Sequence, residues 1–382
     1  MTFTFYSPTK IIFGQPAGES LNAELDALSA TRLLLVSDPI LAQMEWAQRI
    51  CLGLKEAGYV VSRFINVGST PSVSEVAAGL ALAREQGVQA VIALGGGSVM
   101  DVAKAIAMLL TNSRSCADYL HDSRSIQQPS CPLITIPTTA GTGSEVSRAA
   151  VIVDSDVPFK QTVSSPLMYA RTALLDPELT RSLPRSMTAA TGLSAFVHAL
   201  EAYTGRQTNP FTDQLAITAL QMAWTYLPRV VSDGGDTTAR QAMMLAALWG
   251  GIAMDQAGQG LIHALAAPLT AHLHFHHGLA KAVLLPLVMR FNLPAIPAPR
   301  RRRLNSALGL TVDAGDEALI ERLGQFVGYL GLPISLSELD IPLSDFDWEV
   351  MAQEATRLPS IGNNPRPVSL GDCQALLARV RG

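Results

Sequence analysis

Five of the seven histidines lie between positions 263 and 277: His263, His272, His274, His276 and His277. A sixth, His198, sits in the alanine-rich stretch Thr191–Tyr203. Neutral imidazole is a good ligand for Fe2+ and Zn2+, and three such ligands hold a divalent ion while leaving a position open. A substrate oxygen in that position has its carbonyl polarised, or its alkoxide stabilised as it gives up a hydride. The competing reading of His272, His274 and His276 is a partly exposed turn with no ligand role.

A second group of residues suits phosphate chemistry. Gly95-Gly96-Gly97-Ser98 follows an apolar run and opens a helix-like one. Glycine lets a backbone approach a ligand without interference from Cβ, and the first amides of a helix attract phosphate. Ser98 is expected to cap that helix and to donate to a phosphate oxygen. Without a ligand, the same glycines make a tight strand-to-helix turn. Asp38 ends an earlier apolar run, where a carboxylate accepts from ribose hydroxyls and repels a 2′-phosphate, favouring NAD over NADP. Thr138, Thr139 and Thr142, within Pro137–Glu145, supply hydroxyls after another such run. Ligands of open parallel sheets bind beyond the carboxyl ends of the strands, and all three segments fall there. The spacing is not GxGxxG, so the ordinary Rossmann fingerprint does not apply.

The elements that must carry these residues change character along the chain. Arg32–Ser37, Tyr59–Ile65, Ala90–Leu94 and Leu133–Ile136 are short, apolar and strand-like. Helical stretches at Ser72–Gln86 and Val99–Leu110 separate some of them. Buried strands alternating with helices predict a parallel sheet covered on both faces. Beyond about Pro184 the chain reads as helices: Ser186–Tyr203, Pro210–Leu227, Ala239–Ala257 and Leu261–His272. The expected organisation is an α/β nucleotide-binding domain over residues 1–184 and an all-α domain over residues 185–382. Arg300–Arg303, after the proline-rich Pro294–Pro299, reads as a solvated loop and helix start.

Composition narrows the function classes. The 382 residues are 48% hydrophobic and 16% charged, enough for a large core, and a net charge of −4 gives no support to a nucleic-acid partner. Cys51, Cys116, Cys131 and Cys373 lack zinc or disulfide spacing and fit a reducing, cytoplasmic setting. Met1–Lys10 lacks the basic stretch and apolar run of a signal peptide. No continuous apolar run approaches the roughly 18 residues that cross a bilayer. Alanine-rich helices suggest a homodimer or higher homo-oligomer.

Taken together, the segments resemble the iron-containing (group III, metal-dependent) alcohol dehydrogenases over nearly the whole chain. Gly95–Lys104 matches that family's GGGSxxDxAK loop, and Ile136–Val146 its second cofactor segment. Ala190–Tyr203 lies on its first metal segment, His263–Leu269 and His277–Pro286 on its second, and Asn364–Pro367 on its C-terminal signature. The resemblance implies a dehydroquinate synthase-like architecture, with substrate in a cleft between the domains. It implies NAD contacts from Asp38, Gly95, Gly96, Gly97, Ser98, Asp101, Thr138, Thr139, Thr142 and Lys160. It implies Fe2+ or Zn2+ on His198, His263 and His277, with position 194 as the remaining ligand.

Three positions depart from the family pattern. Ser194 stands where the family has an aspartate ligand, four residues before His198 on the same helical face. Ala267 replaces a family histidine, and Lys281 replaces the asparagine of HGxAN. Deleting a carboxylate from a divalent ion's shell weakens binding. Three histidines and a water can still hold Zn2+. Otherwise Lys281 supplies the positive charge for the developing alkoxide, a site more tolerant of an anionic carbonyl substrate. Without a histidine at position 267, the proton passes through water, the cofactor ribose or His276. The expected function is NAD(H)-dependent oxidation of a small alcohol or reduction of an aldehyde, without nucleic-acid or membrane partners. Two further readings are a lyase using NAD transiently on the same scaffold, and a nucleotide-binding relative without chemistry.

Overall fold

The computed structural model describes residues 2–154, 160–339 and 341–381, and the side chain of Lys160 lies outside the described residues. The chain divides into two compact units, Ser7–Ser182 and Leu183–Gly382, with Met1–Tyr6 belonging to the second.

Among the described residues the first unit is built on eight strands: β1 (Lys10–Phe13), β2 (Arg32–Val36), β3 (Val60–Phe64), β4 (Ala90–Gly95), β5 (Leu133–Pro137), β6 (Ala149–Val153), β7 (Lys160–Ser164) and β8 (Thr172–Leu175). Six of them form one parallel sheet in the order β1-β8-β5-β4-β2-β3, while β6 and β7 pair antiparallel. The central strands β4 and β5 are buried along their whole length, as expected of strands covered on both faces. The pleat sends Leu34, Val36, Val91 and Ala93 into one core cluster. Leu33, Leu35, Ile92 and Leu94 enter the other. The helices of this unit are α1 (Ala17–Ala27), α2 (Glu45–Glu56), α3 (Val73–Glu85), α4 (Gly97–Thr111) and α5 (Cys116–His121). Residues of α3, α4 and α5 join the first cluster, and those of α1 and α2 the second. A capping box starts α3: Glu75 N–H donates to the Ser72 hydroxyl, and the Glu75 carboxylate accepts from Ser72 N–H at 2.8 Å.

The second unit is helical: α6 (Arg185–Thr204), α7 (Pro210–Ser232), α8 (Thr237–Ala257), α9 (Leu261–Leu273), α10 (His277–Asn292), α11 (Ala298–Ala307), α12 (Asp316–Tyr329), α13 (Trp348–Arg357), α14 (Ser360–Asn363) and α15 (Leu370–Arg381). From Thr188 to Thr204 every residue of α6 is buried, so α6 is a central helix with no solvent face. Its glycine is a packing requirement: a Cβ at Gly192 would meet Leu227 of α7 at 2.2 Å. The arginine run belongs to α11, where Arg300 pairs with Asp213, Arg301 with Asp316 and Arg302 with Asp313. His277–Ala295 is long and apolar enough to span a bilayer by composition, yet most of it is buried inside the protein. All four cysteines are buried and unpaired with each other.

Candidate functional site

In the first unit, the strand order places β2 beside β4, although β3 intervenes in sequence. This is the switch point at which the chain reverses its direction of travel across the sheet, and where such sheets leave a crevice for ligands. The residues just beyond β2 and β4 border that crevice. Ser37 bridges the two strand ends, its hydroxyl donating to Leu94 O at 2.8 Å. Asp38 follows, and its Oδ1 accepts from Ile40 N and Leu41 N, both at 2.9 Å. These two bonds fix the carboxylate at the mouth of the crevice.

Beyond β4, Gly96 is the N-cap of α4 and Gly97 its first residue. The first bond within the helix runs from Met100 N to Gly96 O. The amides of Gly97, Ser98 and Val99 precede it and head the helix, as an anion site requires. The helix starts before Ser98, so Ser98 does not cap it as the sequence predicts. Its hydroxyl donates instead to Ser69 O at 2.9 Å. The glycines are demanded by close approach. A Cβ at Gly97 would meet Thr142 at 2.7 Å, and one at Gly96 would meet Thr139 at 3.3 Å. Thr138 N donates to Gly95 O at 3.1 Å. The glycine turn and the threonine segment thus form one surface.

Two residues of the glycine motif brace that surface. Asp101 Oδ1 accepts from the Ser144 hydroxyl at 2.9 Å, and its Oδ2 from Val151 N at 3.1 Å. Lys104 is wholly buried and donates to Ser144 Oγ, Ser147 Oγ and Ala149 O at 2.8 to 2.9 Å. Both side chains tie α4 to the segment after Gly143. Glu145 lies in the same segment, its carboxyl pushed up to about 7 by burial, against the pull of a backbone hydrogen bond and Lys104.

In the second unit, α6, α9 and α10 bring His198, His263, His277 and Lys281 together. The start of α10 lies directly against α6, since a Cβ at Gly278 would meet Ala190 O at 2.4 Å. That approach puts Lys281 Nζ 3.2 Å from His198 Nε2. The rings of His198 and His263 stack with centroids 4.8 Å apart, and His263 and His277 lie 5.9 Å apart, centroid to centroid.

Glu201 organises the cluster, and the sequence reading missed it. It falls on the face of α6 that carries Ser194 and His198, at i+7 and i+3, a spacing that could have flagged it. Its carboxylate accepts from Gly260 N at 2.9 Å, Ile262 N at 2.6 Å and His263 Nδ1. One side chain thereby satisfies the first amides of α9 and orients the histidine. Burial pushes Glu201 up to about 7, opposed by those hydrogen bonds and by Lys281. Burial, then the charge of Lys281, lowers His263 well below the usual imidazole value. Both effects favour the neutral form of His263. Its Nε2 is buried without a hydrogen-bond partner among the described residues.

The other polar residues act on orientation. The Thr270 hydroxyl donates to Ala266 O at 2.9 Å and lies 3.3 Å from His277 Nδ1, an arrangement that leaves Nε2 of His277 as the acceptor. Asn364 Oδ1 accepts from Leu261 N at 3.3 Å, and Asn363 Nδ2 donates to Ala257 O and Gln259 O. The C-terminal signature thus shapes the entry to α9. His276 is exposed and caps α10, accepting from Gly278 N. His272 pairs with Glu354, and the exposed His274 ends α9 in the left-handed region, φ 55°. His272 thus belongs to the last turn of α9, while His274 and His276 lie in the short link to α10.

The residues present do not fit a divalent ion. Among the described residues no group of three or more His, Cys, Asp or Glu side chains is arranged to hold one. Ser194 turns its hydroxyl back to Ala190 O at 3.2 Å. The ammonium of Lys281 already faces His198 Nε2. Two unit charges 4 Å apart repel by about 4 kcal/mol at an intermediate dielectric, and a divalent ion roughly doubles that.

Comparisons with known proteins agree with both units. The family described as "Iron-containing alcohol dehydrogenase" matches residues 8–177, and "Fe-containing alcohol dehydrogenase family, C-terminal" matches residues 188–380. A probable alcohol dehydrogenase, EutG of Escherichia coli, is 36% identical over 99% of this chain and 94% of its own length. The NAD-dependent methanol dehydrogenase of Bacillus methanolicus is 31% identical over 98% of each chain. The structure of sulfoacetaldehyde reductase from Bifidobacterium kashiwanohense in complex with NAD+ superposes with a TM-score of 0.90 at 27% identity, covering 100% of this chain and 99% of that one. The chain belongs to the iron-containing alcohol dehydrogenase family and is an oxidoreductase of that class.

Proposed function

We propose that the protein is an NAD(H)-dependent alcohol dehydrogenase that also reduces the corresponding aldehyde, its substrate a small alcohol or carbonyl compound. The observation that carries this reading is the switch point between β2 and β4. There Asp38, the head of α4 and the threonine segment converge with the chemistry of a dinucleotide site. The amides of Gly97, Ser98 and Val99 take the pyrophosphate, Thr138, Thr139 and Thr142 flank it, and Asp38 accepts from the adenosine ribose. Asp101 contributes by bracing this surface. The substrate oxygen belongs to the polar cluster of α6, α9 and α10, the buried group of titratable side chains in the helical unit. The four buried, unpaired cysteines suit a reducing compartment.

The test is to mix purified protein with NADH and a panel of short aldehydes, including anionic ones, and follow NADH absorbance. Stoichiometric loss of NADH with alcohol formation is expected. An enzyme that uses NAD only transiently shows no net change. No consumption with any aldehyde, with or without added metal, would sink the proposal.

A further inference from the structure

We infer that Lys281 is the resident cation of the helical site, standing where a divalent ion would otherwise sit, and that the ammonium is the group that activates the substrate oxygen. The inference rests on the functional reading above and adds to it the identity of the activating group. Lys281 is 2% exposed, so its amine lies inside the protein. It is held in one direction by His198 Nε2 at 3.2 Å. An ammonium has three donors and no acceptor, so it can hold His198 and a substrate oxygen together. With Lys281 donating, His198 offers Nε2 and carries its proton on Nδ1. His263 and His277 are oriented the same way by Glu201 and Thr270. The cluster places three imidazole rings and the Lys281 amine together. Ser194 contributes no charge and turns back on its own helix.

For an aldehyde the step balances without a metal. The ammonium donates a hydrogen bond to the carbonyl oxygen. Hydride leaves C4 of the dihydronicotinamide for the carbonyl carbon, the C=O π pair moves to oxygen, and a proton from Lys281 completes the hydroxyl. A proton taken up from bulk solution through water restores Lys281. NADH is oxidised to NAD+, and aldehyde plus one proton becomes alcohol. The same charge favours a carbonyl compound that carries an anion.

The test begins with the wild-type protein, so no variant need fold. The protein is dialysed against a chelator, its metal content is measured by mass spectrometry, and Zn2+ alone is titrated in by calorimetry. Far less than one metal per chain and no stoichiometric Zn2+ binding are expected. The NADH-dependent rate should change less than about twofold on chelation. Lys281→Met, which keeps length and removes charge, should lower kcat by about 100-fold or more, and Zn2+ should not restore it. Ser194→Asp with Lys281→Asn should gain stoichiometric Zn2+ binding. One tightly held metal per wild-type chain, lost together with activity on chelation, would overturn the inference. So would a Lys281→Met enzyme of undiminished kcat. A protein that excludes Zn2+ and also consumes no NADH under any condition overturns the functional reading and the catalytic role with it, whereas Zn2+ binding overturns the role of Lys281 alone.

Discussion

Glu201 accepts hydrogen bonds from two amides at the start of α9 and from His263. Glu201→Ala would leave those buried donors without their acceptor. A loss of about 3 kcal/mol in denaturant-derived stability is expected, and Glu201→Gln should recover part of it. Asp38 makes a different kind of contribution, electrostatic and directed outward. Asp38→Gly should weaken NADH use by about tenfold and improve NADPH use, seen in the ratio of their kcat/KM values. Glu145 carries a pH signature. Its folded pKa, about 7, lies above the ordinary 4.5, so the stability associated with its neutral form is present below 4.5 and lost as pH rises through 7. Glu145→Gln should therefore gain on wild type as pH rises across that window, measured by urea midpoints. A constant difference would contradict the assignment of a buried, neutral carboxyl. The residue exchanges at the helical site follow one logic. Where the resemblance implies an aspartate bound to a divalent ion, this chain has Ser194 and an ammonium, and the net charge of +1 is unchanged.

At the scale of elements, each of the two clusters depends on a glycine that permits close approach. Gly278 seats α10 against Ala190 of α6, which fixes the distance from Lys281 to His198. Gly278→Ala should cost about 1–3 kcal/mol of stability and lower kcat/KM by more than about tenfold, because displacing a catalytic group by an ångström is expensive. Gly97→Ala presses on Thr142 and should raise the NADH dissociation constant while leaving the helical unit's thermal transition in place. These approaches explain what the sequence made legible. Continuous apolar runs located β2, β4 and β5, since strands buried on both faces have no polar alternation to disguise them, while the edge strand β3 was found from its valines despite Ser62 and Arg63. The glycine turn located α4. The sequence did not reveal that Ser98 lies inside the first turn, because helix starts vary by a residue or two. It pointed to Ser194, His198, His263 and His277 through their spacing and family resemblance. It passed over Glu201, whose value comes from the backbone amides of a helix distant in sequence. It named Lys281 from a departure in a motif, but only packing shows that the side chain turns inward to His198.

For the whole molecule, the alternation of strands and helices up to Ser182 and the helices beyond it separate two jobs. The sheet unit presents the surface expected to bind a dinucleotide, and the helical unit presents a buried lysine, Lys281, beside His198, His263 and His277. The N-terminal residues go with the helical unit, where Phe5 stacks on Phe211 with centroids 5.4 Å apart. Composition could not assign them, because nothing in their local pattern records a partner two hundred positions away. The most direct measurement uses NADH deuterated at C4 with a reactive small aldehyde, followed by mass spectrometry of the alcohol. One deuterium on the carbinol carbon, matched mole for mole by NAD+, is the expected result. Alcohol without label, or no net oxidation of NADH, would contradict the proposed dehydrogenase.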